Sequence, residues 1–99
     1  MRDSIRIYVD FHKVDGEGRL ILSSYGTRED LAHSGIELKD GLVLTFYSDD
    51  ADDAGNPDDL IVEGVVRYDD SLKQWVAVID WNAIKHVSDN EERHANKKE

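Results

Sequence analysis

The chain has 99 residues, no cysteine and one proline, with 22 acidic against 12 basic side chains for a formal net charge of −10. That length holds one domain. The missing cysteines exclude a disulfide framework, thiolate zinc sites and thiol nucleophiles. The acidic balance argues against a membrane surface or a phosphate backbone as partner, since both call for gathered Lys and Arg.

The acidity is local. Residues 1–39 carry seven acids and six bases, residues 71–99 carry five of each, and residues 40–70 carry ten acids and the single base Arg67. Almost the whole surplus therefore lies in one segment, Ser48-Asp49-Asp50-Ala51-Asp52-Asp53-Ala54-Gly55-Asn56-Pro57-Asp58-Asp59. The N-terminus is charged and has no apolar core of a secretory signal behind it. The longest apolar run, Trp75 to Ile79, has five residues, far short of a membrane span. The expected location is the cytoplasm.

In chain order, Ile5, Ile7, Val9 and Phe11 alternate with Ser4, Arg6, Tyr8, Asp10 and His12, a period of two that predicts a half-buried strand. Asp15-Gly16-Glu17-Gly18 predicts a hairpin turn, with the return strand over Arg19 to Tyr25. Thr27-Arg28-Glu29-Asp30 has the form of a capping box opening a short helix over Arg28–Ser34, and Gly35 closes it in the left-handed conformation. Asp40-Gly41 turns the chain into a third strand, Leu42 to Ser48.

The acidic loop follows, because its glycine and proline cannot continue a strand. Leu60 to Tyr68 reads as a long fourth strand with a bulge or bend at Gly64. After a link over Asp69–Lys73, a fifth strand covers Gln74 to Trp81, with Trp75 and Trp81 on one face. A 3₁₀ turn over Asn82–Ile84 and a short strand from Lys85 to Ser88 complete a single domain over 1–88. Residues 89–99 read as a polar, disordered tail.

Six short strands and one small helix predict a mainly β fold, a curled antiparallel sheet closed into a small barrel. Over residues 42–88 the order strand, irregular loop, long strand, tight hairpin, strand, 3₁₀ turn, short strand resembles that of small bacterial proteins with an SH3-like β-barrel. An OB-like barrel is the alternative. The resemblance is one of topology and does not extend to proline-peptide recognition: no Ala-Leu-Tyr-Asp-Tyr run and no Trp-Trp pair is present. RNA-binding barrels of this type use basic loops, which this chain lacks.

Chemistry-bearing patterns are few. An EF-hand frame starting at Asp50 places Ala54 at position 5 and Ile61 at position 12, so two ligand positions fail. His12, His33, His86 and His94 show no ligand spacing, and only His86, near Asp80 in sequence, has the makings of an oriented acid–base pair. No G-x-S-x-G and no phosphate loop is present. The expected function is therefore non-enzymatic, with no cofactor: a protein-interaction module for a partner with a basic surface, and no nucleic-acid or membrane partner. The candidate contact residues are Asp49, Asp50, Asp52, Asp53, Asp58 and Asp59, with Tyr8, Tyr47 and Tyr68 as aromatic anchors beside them. The alternative is a Ca²⁺ or other hard-cation site in the same Asp49–Asp59 loop. The bland alternative to both is a solvated, mobile loop that its like charges keep extended.

Overall fold

The computed structural model describes residues 5–51 and 53–89, and the expected tail lies outside the described residues from 90 onward. Their main feature is a six-stranded sheet, so the fold is mainly β. The strands are β1 (Arg6–Tyr8), β2 (Leu20–Ile21), β3 (Val43–Ser48), β4 (Leu60–Asp69), β5 (Gln74–Ile79) and β6 (Lys85–His86). A helix, α1 (Tyr25–Ser34), follows β2, and a 3₁₀ turn (Trp81–Ala83) separates β5 from β6.

The central unit is the antiparallel meander β3-β4-β5. Its registers run unbroken, with Leu44 and Ile79 both opposite Gly64. No residue is inserted there, so the bulge expected at Gly64 is absent. Glycine occupies the position because the space is filled: a Cβ would stand 2.8 Å from the Ile79 side chain and 3.0 Å from the Phe46 ring. Beyond the 3₁₀ turn, β6 returns to the start of β4, with Leu60 opposite His86. Since β3 occupies the other edge of β4, β5 and β6 lie end to end along one edge.

Alternation sorts the side chains into two faces. Ile7 and Val9, Leu20 and Leu22, Phe46, Val62, Val66 and Ala77 are buried together with Leu31 of α1 and form the core. Trp75 and Ile79 pack against it from β5. Trp81 does not share their face. β5 ends at Ile79, and Trp81 sits in the 3₁₀ turn, exposed, with its indole N–H donating to the Gly18 carbonyl at 2.8 Å and its ring edge-on to Phe11.

The N-terminal third departs most from the expected hairpin. The turn itself forms: the Asp15 amide donates to the Arg19 carbonyl and Val14 bridges Leu20. However, β1 is not the partner of β2. β1 pairs in parallel with β3, β2 pairs with β5, and the two strands stand at opposite ends of the ladder. A parallel pair needs a long connection, which the 13–21 hairpin and α1 supply. The return strand is also shorter than the expected Arg19–Tyr25, because Ser24 becomes the extended N-cap residue of α1.

The helix stops where expected, with Gly35 at φ 66° and the Ile36 amide donating to the Leu31 carbonyl. Its start differs: it begins at Tyr25, and no side chain caps it. Thr27 and Asp30 instead turn toward β1. The Thr27 hydroxyl donates to the Tyr8 carbonyl at 2.6 Å, and the Asp30 carboxylate accepts the Tyr8 amide at 2.9 Å. Tyr8 carries the polar backbone groups on the free edge of β1, so the helix closes an edge that would otherwise invite strand addition. A stronger demand for partners at the buried edge outcompetes a local capping box. Arg19, between Asp15 and Asp69, ties the first turn to the β4–β5 turn.

Candidate functional site

The acidic segment is exposed to solvent as expected, but it is not an open, extended chain. Past the Ser48–Leu60 pair the two arms stay together: the Asp58 amide donates to the Asp50 carbonyl at 2.9 Å, and Ala51 bridges Pro57. The loop is thus an outward continuation of the β3–β4 hairpin, with the left-handed Gly55 in its turn. Hydrogen bonding of the paired backbone outweighs repulsion among carboxylates that water and salt screen.

The segment after β6 braces this projection. The His86 imidazole meets the Asp50 carboxylate at 2.7 Å, and the Ser88 hydroxyl donates to Asp58 at 2.6 Å. The Ser88 amide donates to the other Asp58 oxygen, the Val87 amide to the Asp59 carbonyl, and the His86 amide to Asp89. His86 therefore has an acid partner, but it is Asp50 rather than Asp80, which instead accepts the Asn82 amide to cap the 3₁₀ turn. Sequence proximity suggested the wrong carboxylate because the pairing joins residues 36 apart. The hydrogen bond to Asp50 raises the His86 pKa above its ordinary 6.5, and the bond from His86, with one from the Ala51 amide, lowers that of Asp50 below 3.8. Bonds from the Ser88 side chain and backbone lower the Asp58 pKa in the same way.

These shifts define a pH window. A raised histidine contributes fully below pH 6.5, and its contribution fades as pH climbs through the raised value. A lowered aspartate contributes fully above pH 3.8, and that is lost as pH falls through the lowered value. Amide exchange in residues 49–59, corrected for intrinsic rates, is expected to be slowest between these limits and to quicken on the alkaline side. His86→Gln should remove the alkaline change. Equal protection on both sides of the window in the wild type would show that the clamp does not hold the hairpin. Both side chains are partly exposed, so added salt should shrink the effect.

Two of the three candidate tyrosines lie at the base of the hairpin. Tyr8 and Tyr47 face each other across the β1–β3 ladder with ring centroids 5.7 Å apart, edge to face. Tyr8 also packs against Gly26 of α1, where a Cβ would stand 2.7 Å from its ring. Burial and then the Asp30 carboxylate, which accepts from the phenol, raise the Tyr47 pKa, and the nearby charges of Asp49 and Asp59 act in the same direction. Tyr68 is elsewhere. It pairs with Trp75 at the other end of β4, centroids 5.1 Å apart, about 23 Å along the strand from the residue opposite Tyr47.

No family model, curated protein or solved structure matches this chain. The functional reading therefore rests on the geometry of the site. Asp49 and Asp53 are exposed on the hairpin and Asp59 is half-buried, whereas Asp50 and Asp58 are engaged in bracing it. Asp52 lies outside the described residues. Among the described residues no three His, Asp or Glu side chains converge to hold a metal ion, and none of the helices is long and apolar enough to cross a membrane. Ser88 gives its hydroxyl proton to Asp58 and not to the imidazole, so the His86–Asp50 pair activates no hydroxyl there.

Proposed function

We propose that this chain is a non-enzymatic, cytoplasmic protein-interaction module on an SH3-like barrel, docking a basic partner surface through the acidic β3–β4 hairpin. The observation that carries the reading is the bracing of the hairpin by His86 and Ser88. A projection held on one side by Asp50–His86 and Asp58–Ser88 loses little freedom on docking, so its free carboxylates are pre-organised for a partner. The Tyr8–Tyr47 pair at its base supplies an aromatic anchor beside a charged rim. The element order from β3 to β6 supports the barrel type, and the absence of a basic cluster speaks against nucleic acid and membranes as partners.

The test is capture on the immobilised wild-type chain at low and high salt, with the Asp49→Asn/Asp53→Asn double variant in parallel. A specific partner should be retained at low salt, released at high salt and weakly held by the variant. A partner held equally by wild type and variant, or indifferent to salt, overturns the reading.

A further inference from the structure

The main core lies on one face of the sheet; on the other, Val76 is buried near the β2 end of the ladder, whereas Val43 and Val78 stand exposed across the middle of the meander. On this outer face the ladder registers place side chains in rows. One row is Val43, Val65 and Val78, directly opposed across β3, β4 and β5. Val43 is 57% exposed and Val78 45%. The adjoining row runs Arg6, Thr45 and Glu63 across β1, β3 and β4. Asp80, one residue past β5, ends this row, lining with Glu63 and the three valines a cavity of about 440 Å³. Arg6, Thr45 and Glu63 line a second cavity of about 440 Å³.

Three β-branched side chains in register on a solvent face form a patch of the kind that marks an interaction surface. The charged row beside them indicates what covers it. Its order is cation, hydroxyl, carboxylate, carboxylate, and Arg6 enters no ion pair among the described residues. Asp80 spends one oxygen on the Asn82 amide.

We propose that the outer face binds a second copy of this chain, the two sheets packing face to face about a two-fold axis that runs along the strands between β3 and β4. Such an axis reverses the row. Arg6 comes to lie opposite the second copy's Asp80, Thr45 opposite its Glu63, and Val43 opposite its Val65, with each contact repeated by symmetry. Sheets stacked in this way lie about 10 Å apart, within reach of an arginine and an aspartate extending toward each other. An unrelated partner would have to bring the complementary order of charges, whereas a second copy brings it by symmetry. This surface is distinct from the acidic hairpin, so the two proposals stand or fall separately.

The experiment is sedimentation equilibrium across a dilution series, with circular dichroism as a check on folding. The wild type should reach twice the 11.3 kDa chain mass. Arg6→Asp or Asp80→Arg alone should weaken association roughly tenfold or more by setting like charges against each other, and the double variant should recover it. Val65→Asp should give a monomer. Should a charge variant fail to fold, dilution of the wild type followed through the methyl resonances of Val43, Val65 and Val78 reads the same equilibrium. A monomer at every concentration, a dimer indifferent to these substitutions, a double variant that stays monomeric, or valine methyls unchanged while the dimer dissociates would each overturn the proposal.

Discussion

Gly64→Val is expected to lower unfolding stability by about 1–3 kcal/mol, the usual range for forcing extra methyl groups into a packed core. Gly64 is opposed by Leu44 on one side and Ile79 on the other, so both neighbouring ladders pin its backbone. A first carbon at this position already meets Ile79 at 2.8 Å, Phe46 at 3.0 Å and the Val78 carbonyl oxygen at 3.2 Å. The Ile79 branch can rotate aside, but the Phe46 ring is fully buried and the carbonyl is backbone. The sign is the informative part. A strand glycine without such neighbours gains stability on replacement, because glycine has more chain entropy to lose on folding. Denaturant titration of Gly64→Ala and Gly64→Val should show a falling midpoint with an unchanged slope, the valine variant falling further. A rise for alanine would mean that the neighbours make room and that crowding does not hold glycine at this position.

Thr27→Val is expected to cost about 1–3 kcal/mol, the penalty for leaving a buried polar group unpaired. Thr27 has no exposed surface, and its hydroxyl serves both the Tyr8 carbonyl and the Ser24 hydroxyl. Valine keeps the shape and removes the donor, so the loss reports the hydrogen bond and not a cavity. Thr27→Ser makes the opposite trade and should cost less, on the order of 1 kcal/mol for one buried methyl group. The Tyr8 amide, held by Asp30 on the same edge, should exchange faster in the valine variant, because the contact between α1 and β1 loosens. If serine proves the worse substitution, the methyl contacts matter more than closure of the strand edge.

Both positions show how far local reasoning reaches. Thr27 and Asp30 have the residue types and spacing of a capping box, yet their side chains serve a strand edge 19 and 22 residues away. Gly64 has the look of a bulge, yet its ladders are continuous and the demand is volumetric. At the candidate site, loop and acidity were legible from composition, and so was the place of Tyr47 just before that loop; Tyr8 reaches it only through the β1–β3 pairing. The bracing of the loop was not legible, because nothing in the spacing of His86 relative to Asp50 distinguishes that partner from Asp80. Tyr68 was grouped with the other tyrosines on residue type alone, and the length of β4 carries it away.

The sequence by itself determined what depends on neighbours along the chain: the period-two strands, the turn at Asp15–Gly18, the left-handed stop at Gly35, the long β4 and the confinement of the charge surplus to residues 40–70. Only the tertiary structure decided that β1 runs parallel to β3 and that the helix seals its free edge. It also decided that the acidic segment is a braced hairpin and that valines and opposite charges share one face. Local signals arise from steric and hydrogen-bonding preferences within a few residues. The choice among distant partners is made by burial, which requires every polar group taken from water to find whichever complement the assembled fold has brought within reach.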